Sequence, residues 1–288
     1  MKVSKIENAN LILTNSNRNY ITKAGKYLEV KKYSTTPRCN IINISKTKYA
    51  TVSKRTGVLK IKNKKISKNR LESEKNLKKT FHNLRNLIQA NVLDNSKVHW
   101  ITLTYNQDNG VMDNTVKLYK DVEIFFKKFR YWLKVNKNID HIEYITTVEP
   151  QGCGAWHAHI LVIYDAKRPF IDNNIISTLW GKGFTKTKAL KDTDNIASYL
   201  CSYLTDLKIN DHLKKKGERI YLYPRGIRIY RHSRGVKLPE NSIISNNEYL
   251  KLINDYNLEF EGAYKIANEQ GKTIKTIKKE FYKRKPIT

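Results

Sequence analysis

The sequence predicts an α+β fold: a central antiparallel sheet flanked by helices, with basic N- and C-terminal extensions. Three observations carry this. Residues 98–207 read in the order β-α-β-β-α-β-α, which suits an antiparallel sheet carrying helices. Strand-like alternation and helical 3-and-4 spacing succeed one another without long ambiguous stretches. Positive charge is concentrated at the two ends: residues 1–94 carry 22 basic and 5 acidic side chains, residues 95–210 carry 15 and 12, and residues 211–288 carry 18 and 9.

These features divide the chain into a basic N-terminal region, 1–75, a core, 76–210, and a basic C-terminal region, 211–288. In the first, short apolar runs such as Thr51-Val52-Ser53 and Val58-Leu59-Lys60-Ile61 suggest short strands. A helix is expected from about residue 69 to 91, because Leu77, Phe81, Leu84, Leu87 and Ile88 recur at offsets of 3 and 4. Lys78, Lys79 and Arg85 fall elsewhere on that helix and point outward.

The core opens with a strand, 98–105, and a polar loop, 106–113. Helix 114–136 follows, with Val122, Phe125, Phe126, Phe129, Trp132 and Leu133 as a broad apolar stripe. Aromatic residues at this spacing pack in a core far more often than they stack on bases. Strands 142–149 and 156–164 flank Pro150-Gln151-Gly152-Cys153-Gly154, a run of turn residues, and read as a hairpin. A short helix, 173–180, ends at Gly181, and a brief strand, 184–187, precedes helix 193–207. Asp192, Thr193 and Asp194 are its N-cap candidates. Beyond the core, residues 219–232 alternate around Pro224-Arg225-Gly226 as a second hairpin, with Arg225, Arg228, Arg231 and Arg234 among Tyr221, Tyr223 and Tyr230. That mixture suits single-strand contact, or an ordinary exposed hairpin. The lysine-rich tail, 272–285, is expected to be helical in part.

The candidate chemistry begins at Trp156-His157-Ala158-His159-Ile160. On a strand, residues i and i+2 share a face, so His157 and His159 project side by side. Neutral imidazoles are common ligands for divalent ions. The hairpin brings Glu149 beside them as an oxygen ligand, leaving coordination positions for a substrate oxygen. Tyr199 and Tyr203, spaced i, i+4, share one face of helix 193–207; a pair of that kind packs in a core as readily as it reacts.

A Glu eight residues before a His-hydrophobic-His motif, followed by a helix with two tyrosines, resembles the HUH endonucleases, the superfamily of rolling-circle replication initiators and relaxases. The apolar, Thr-containing strand Trp100-Ile101-Thr102-Leu103-Thr104-Tyr105 is similar to that family's first motif. Within it, the chain looks most like the replication-associated proteins of small single-stranded DNA phages of filamentous and plectrovirus type. The resemblance is clearest over residues 76–210. It implies a ferredoxin-like sheet with the His pair on a central strand. It implies Mg²⁺ or Mn²⁺ on His157, His159 and Glu149, and Tyr203 or Tyr199 as nucleophile. The expected activity is nicking one strand of a viral or plasmid origin, a 5′-phosphotyrosine link, and rejoining. Relatives often carry a lysine three or four residues after a tyrosine. Ser202, Asp206 and Leu207 stand there, and Lys208, five after Tyr203, is the nearest cation; it favours Tyr203 as the leading nucleophile. A plasmid relaxase or transposase of the same superfamily, or a non-catalytic nucleic-acid-binding protein, are the alternatives.

The balance of 55 Lys+Arg against 26 Asp+Glu, a net charge of +29, points to a polyanion: single-stranded or supercoiled origin DNA. No GxxxxGK[ST] loop is present, so helicase and polymerase are expected from the host. No apolar run of transmembrane length appears, and the first residues lack a signal peptide's apolar stretch. Cys39, Cys153 and Cys201 make neither a CxxC pattern nor a disulfide framework. Together these point to the cytoplasm, the host's if the protein is viral, with no membrane partner.

Overall fold

The computed structural model describes residues 2–6, 17–35, 39–45, 47–63, 74–108, 112–151, 155–190, 222–224, 226–267, 270–271 and 273–286. The chain divides into two compact units, residues 67–238 and residues 1–66 with 239–288. Strands β1 (Lys2–Ile6), β2 (Asn19–Ala24), β3 (Tyr27–Tyr33), β4 (Cys39–Asn43), β5 (Lys48–Ser53) and β6 (Leu59–Asn63) precede the first described helix, α1 (Glu74–Asn91). Then come β7 (Val98–Thr104), α2 (Thr115–Lys137), β8 (Glu143–Pro150), β9 (Trp156–Ile163), α3 (Asn173–Trp180), β10 (Thr185–Ala189) and β11 (Tyr230–His232). Strand β12 (Glu240–Ile244), helix α4 (Asn246–Ile253) and strands β13 (Tyr256–Ala267) and β14 (Thr273–Arg284) complete the chain.

The unit 67–238 is built on a five-stranded sheet of order β10-β7-β9-β8-β11, antiparallel throughout. Its first four strands belong to a β-α-β-β-α-β sequence in which β9, the third, inserts between the first and second. That is the ferredoxin-like arrangement. Each connection has a local cause. Asn114 caps α2 by accepting hydrogen bonds from the Val116 and Lys117 backbone N–H groups, and Asn138 ends it in the left-handed region, at φ 53°. Asp172 caps α3, and Gly181 closes it at φ 61°. Trp180 Nε1 donates to the Thr104 carbonyl at 2.9 Å, tying the end of α3 to the end of β7.

One face of this sheet is covered by α2, whose Phe126 ring stacks on Tyr144 of β8 at 3.7 Å between centroids. Phe125, Phe129 and Leu133 are buried in the same core as Ile101, Leu103, Ile160 and Val162. Burying each such side chain contributes about 1.5–3 kcal/mol. The stripe of α1, Leu77, Phe81, Leu84, Leu87 and Ile88, joins that core, and Lys78, Lys79 and Arg85 are exposed.

The segment expected as a second hairpin is placed differently. Tyr230–His232 pairs with β8 as the edge strand β11. Tyr223 is core: 2% exposed, its ring edge-on to Trp156, its hydroxyl donating to the Val148 carbonyl at 2.9 Å. An aromatic ring packed this deeply cannot stack on bases.

The unit formed by the two chain ends carries a six-stranded antiparallel sheet of order β1-β13-β14-β3-β2-β12, with a separate three-stranded sheet β4-β5-β6. Its core is Ile21, Leu28, Val30, Tyr249 of α4, Tyr256 and Tyr282. The lysine-rich tail is therefore the strand β14, not a helix. Its Thr, Ile, Phe and Tyr residues favour extended backbone, and β13 and β3 supply ladders on both sides. Among the described residues, no helix is long and apolar enough to cross a membrane.

Candidate metal centre

Strand register places the three sequence-predicted ligands together. β8 and β9 pair with Glu149 opposite His157 and Thr147 opposite His159. β7 lies on the other side of β9, with Thr104 opposite His157 and Thr102 opposite His159. The pleat sends His157 and His159 to the face away from Ala158 and Ile160. The triad thus sits on the central strand and its neighbour, on the face opposite α2.

Glu149 Oε2 is 2.7 Å from His159 Nε2 and 3.2 Å from His157 Nε2. The imidazole centroids are 4.6 Å apart, and one ligand atom from each residue lies within 4.8 Å of the others. Glu149 and His159 are buried, and His157 is partly open to solvent. Burial opposes charge on Glu149, but the contacts with His157 and His159 outweigh it and hold the carboxyl far below the ordinary carboxylate range.

A second layer orients the ligands. Thr102 Oγ1 lies 3.2 Å from His159 Nδ1 and accepts a hydrogen bond from Trp100 Nε1 at 3.1 Å. Its hydroxyl can donate to or accept from the imidazole, so it serves either tautomer. Gln151 Nε2 lies 3.0 Å from His157 Nδ1, and Gln107 Nε2 donates to Gln151 Oε1 at 3.3 Å. Outer partners of this kind fix ring orientation around metal ligands. Two buried polar atoms on this face, His157 Nε2 and Thr147 Oγ1, lack a hydrogen-bond partner among the described residues. An unsatisfied imidazole nitrogen beside a second imidazole and an ionised carboxylate is a donor set that fits a divalent cation.

Residues 98–208 match a family of replication-associated proteins, the ORF2 and gene 2 protein family. The matched segment starts at the first residue of β7 and takes in Glu149, His157 and His159. It agrees with the resemblance drawn from the motifs. No curated protein and no solved structure matches the chain. Tyr199, Tyr203 and Lys208 also fall within the matched segment but lie outside the described residues.

Sequence reasoning did not single out Thr102 for a role at the site, nor Trp100, Gln151 or Gln107. Gln151, two residues after Glu149 in the hairpin turn, carried a local signal. Thr102 carried none, because its place beside His159 depends on cross-strand register. The same register aligns Lys186 of the edge strand β10 with Thr102, and Lys188 with Trp100. Both lysines are exposed on the triad's face. At the opposite edge a cleft of about 670 Å³ is lined by Thr80, Asn83, Arg228, Tyr230 and His232, among others.

Proposed function

We propose that this protein nicks one strand of origin DNA by tyrosine attack, holds the 5′ end as a phosphotyrosine, and rejoins the ends. The observation that carries the reading is the convergence of Glu149, His157 and His159 within a segment matching a replication-associated family. The family match supports a replication-initiator role and DNA as partner.

Bound there, Mg²⁺ or Mn²⁺ would polarise a nonbridging oxygen of the scissile phosphate and neutralise charge developing on it. Glu149 supplies an oxygen ligand that stays ionised, and His157 and His159 supply neutral nitrogens oriented by Gln151 and Thr102. The phenol of Tyr203, with Tyr199 as its partner, supplies the nucleophile. Free tyrosine has a pKa near ~10, so the phenol must lose its proton to react well. Its oxygen bonds to phosphorus, the bond from phosphorus to the 3′ oxygen breaks, and that oxygen leaves as a free 3′-OH. The new ester conserves the energy of the old one, so rejoining needs no ATP. The second tyrosine permits a second cut after one round of replication, and Lys208 supplies a nearby positive charge. Lys186 and Lys188 at one edge, and Arg228 at the other, suit a strand lying across the sheet over the triad, its phosphates gripped at both ends. Helicase and polymerase would come from the host, in whose cytoplasm the protein would work.

The test uses single-stranded oligonucleotides tiling the replicon that encodes the protein, incubated with the full chain and Mn²⁺. A denaturing gel should show a covalent adduct that EDTA abolishes, and mass spectrometry should place it on Tyr203 or Tyr199. Full cleavage by the variant carrying both Tyr199→Phe and Tyr203→Phe would end the tyrosine mechanism. Tight origin binding with no adduct would leave a binding protein.

A further inference from the structure

The six-stranded sheet of the unit formed by the chain ends has two unlike faces. Strand register assigns Lys278, Glu280 and Tyr282 of β14 to the face shared with Val30 and Leu28 of β3, which packs under Tyr249 of α4. The other face is set by the alternate residues. There Lys279 of β14 aligns with Lys31 of β3 and Tyr20 of β2, and Ile277 aligns with Tyr33 on one side and Tyr264 of β13 on the other. Phe281 aligns with Phe260 of β13. This face is open: Phe260 is 47% exposed, and Tyr20, Tyr33 and Tyr264 are half-exposed.

Its chemistry is specific. Aromatic rings alternate with ammonium groups: Lys275 Nζ lies 4.0 Å from the Tyr33 ring centroid, and Lys279 Nζ lies 5.3 Å from that of Tyr264. Tyr20 meets Tyr33 edge-on at 4.9 Å, and Tyr27 stacks on Phe281 at 5.4 Å. Gly262 sits between Phe260 and Tyr264 on this face. A side chain there would meet the Phe260 ring at 3.0 Å and the Tyr264 hydroxyl at 3.2 Å, so glycine lets both rings lie over the sheet. Among the described residues of these strands, Lys31, Lys275, Lys279 and Lys283 share the face with one acid, Glu29. Burial, with the Lys31 ammonium nearby, holds Lys279 below the ordinary lysine range, and a phosphate would relieve that crowding.

We propose that this face binds single-stranded DNA, bases stacking on Tyr33, Tyr264, Tyr20 and Phe260 while the lysines pair with phosphates. A flat antiparallel sheet bearing aromatic rings holds an unpaired strand, because every base offers a π face to stack. It does not fit a duplex: the major groove is about 12 Å wide and admits a helix or a two-stranded ribbon, not six strands. Only the choice of DNA over RNA rests on the nickase reading.

The experiment follows fluorescence anisotropy of labelled oligo-dT with the full chain, in EDTA so that no cleavage occurs. Replacing Tyr33 and Tyr264 together by alanine should weaken binding about tenfold or more, whereas Tyr33→Phe with Tyr264→Phe should bind as the parent does. Lys275→Gln with Lys279→Gln should flatten the dependence of log K on log salt by about 0.7 for each phosphate released. If the alanine pair fails to fold by circular dichroism, the lysine pair on the open face carries the test. Parental dT binding by the alanine and lysine pairs would overturn the proposal. So would an equal loss on duplex DNA, or tighter binding of oligo-U than of oligo-dT. Nicking of a short origin oligonucleotide with Mn²⁺, measured separately, keeps the two readings apart: these residues lie outside the triad, so loss of dT binding leaves nicking standing, and absence of nicking leaves dT binding standing.

Discussion

Glu149 Oε2 faces two imidazole nitrogens at 2.7 and 3.2 Å, and nothing apolar on the sheet could replace that oxygen without leaving the pair unbalanced. Its position was legible from sequence because a period of two residues fixes the shared face of His157 and His159, and a short turn returns the preceding strand. Thr102 was not, since only the β7–β9 register brings it to His159. Thr102→Val keeps shape and removes the hydroxyl; calorimetry should show Mn²⁺ affinity about 10- to 100-fold weaker, and unchanged affinity would remove Thr102 from the site. Mn²⁺ affinity should also fall as pH drops below about 6.5, where imidazoles protonate. Two other histidines act on stability with opposite sign. Burial, with Arg168 nearby, holds His99 down at about 4. The unfolded chain therefore binds more protons between about 6.5 and 4, and stability falls as pH falls through that window. Asp165 and then Glu143 raise His141. Its contribution is full below about 6.5 and is lost as pH rises through its folded value. Urea denaturation from pH 4 to 8 should show His99→Phe flattening the acid limb, and His141→Gln losing more stability at pH 5.5 than at pH 8.

Helix α2 shows what an element's sequence carries by itself. Its aromatic stripe and the Asn114 cap are local signals, and the helix runs from Thr115 to Lys137 within a residue of where periodicity puts it. Asn114→Ala should cost about 1 kcal/mol. Phe129→Ala, at a position with no exposure, should cost about 3–5 kcal/mol. The two separate in chemical denaturation midpoints, and equal losses would contradict this division between cap and core. β14 shows the opposite case. Lysines crowd its sequence and hide the alternation, and the strand exists because β13 and β3 pair with it on either side. Pairing partners as distant as residues 27–33 leave no local mark on residues 273–284. β11 was misplaced for the same reason: its partner is β8, and no neighbouring segment signals it.

At the scale of the molecule, the most basic parts of the chain are its ends, and both contribute to one unit. Charge counting alone marks them as nucleic-acid contacts but does not say that they share a sheet, because strand order is a long-range property. The whole chain should bind single-stranded DNA with log K falling linearly in log salt, by about 0.7 per phosphate neutralised; a salt-independent affinity would contradict the electrostatic part of the account. The chemistry still depends on the cation held by three side chains at the centre of the other sheet. The most direct test is titration of the full chain with Mn²⁺, followed by electron paramagnetic resonance. The account predicts a bound ion whose signal disappears in Glu149→Gln with His159→Ala while the fold is kept; Mn²⁺ bound as tightly by that double variant as by the parent would contradict it.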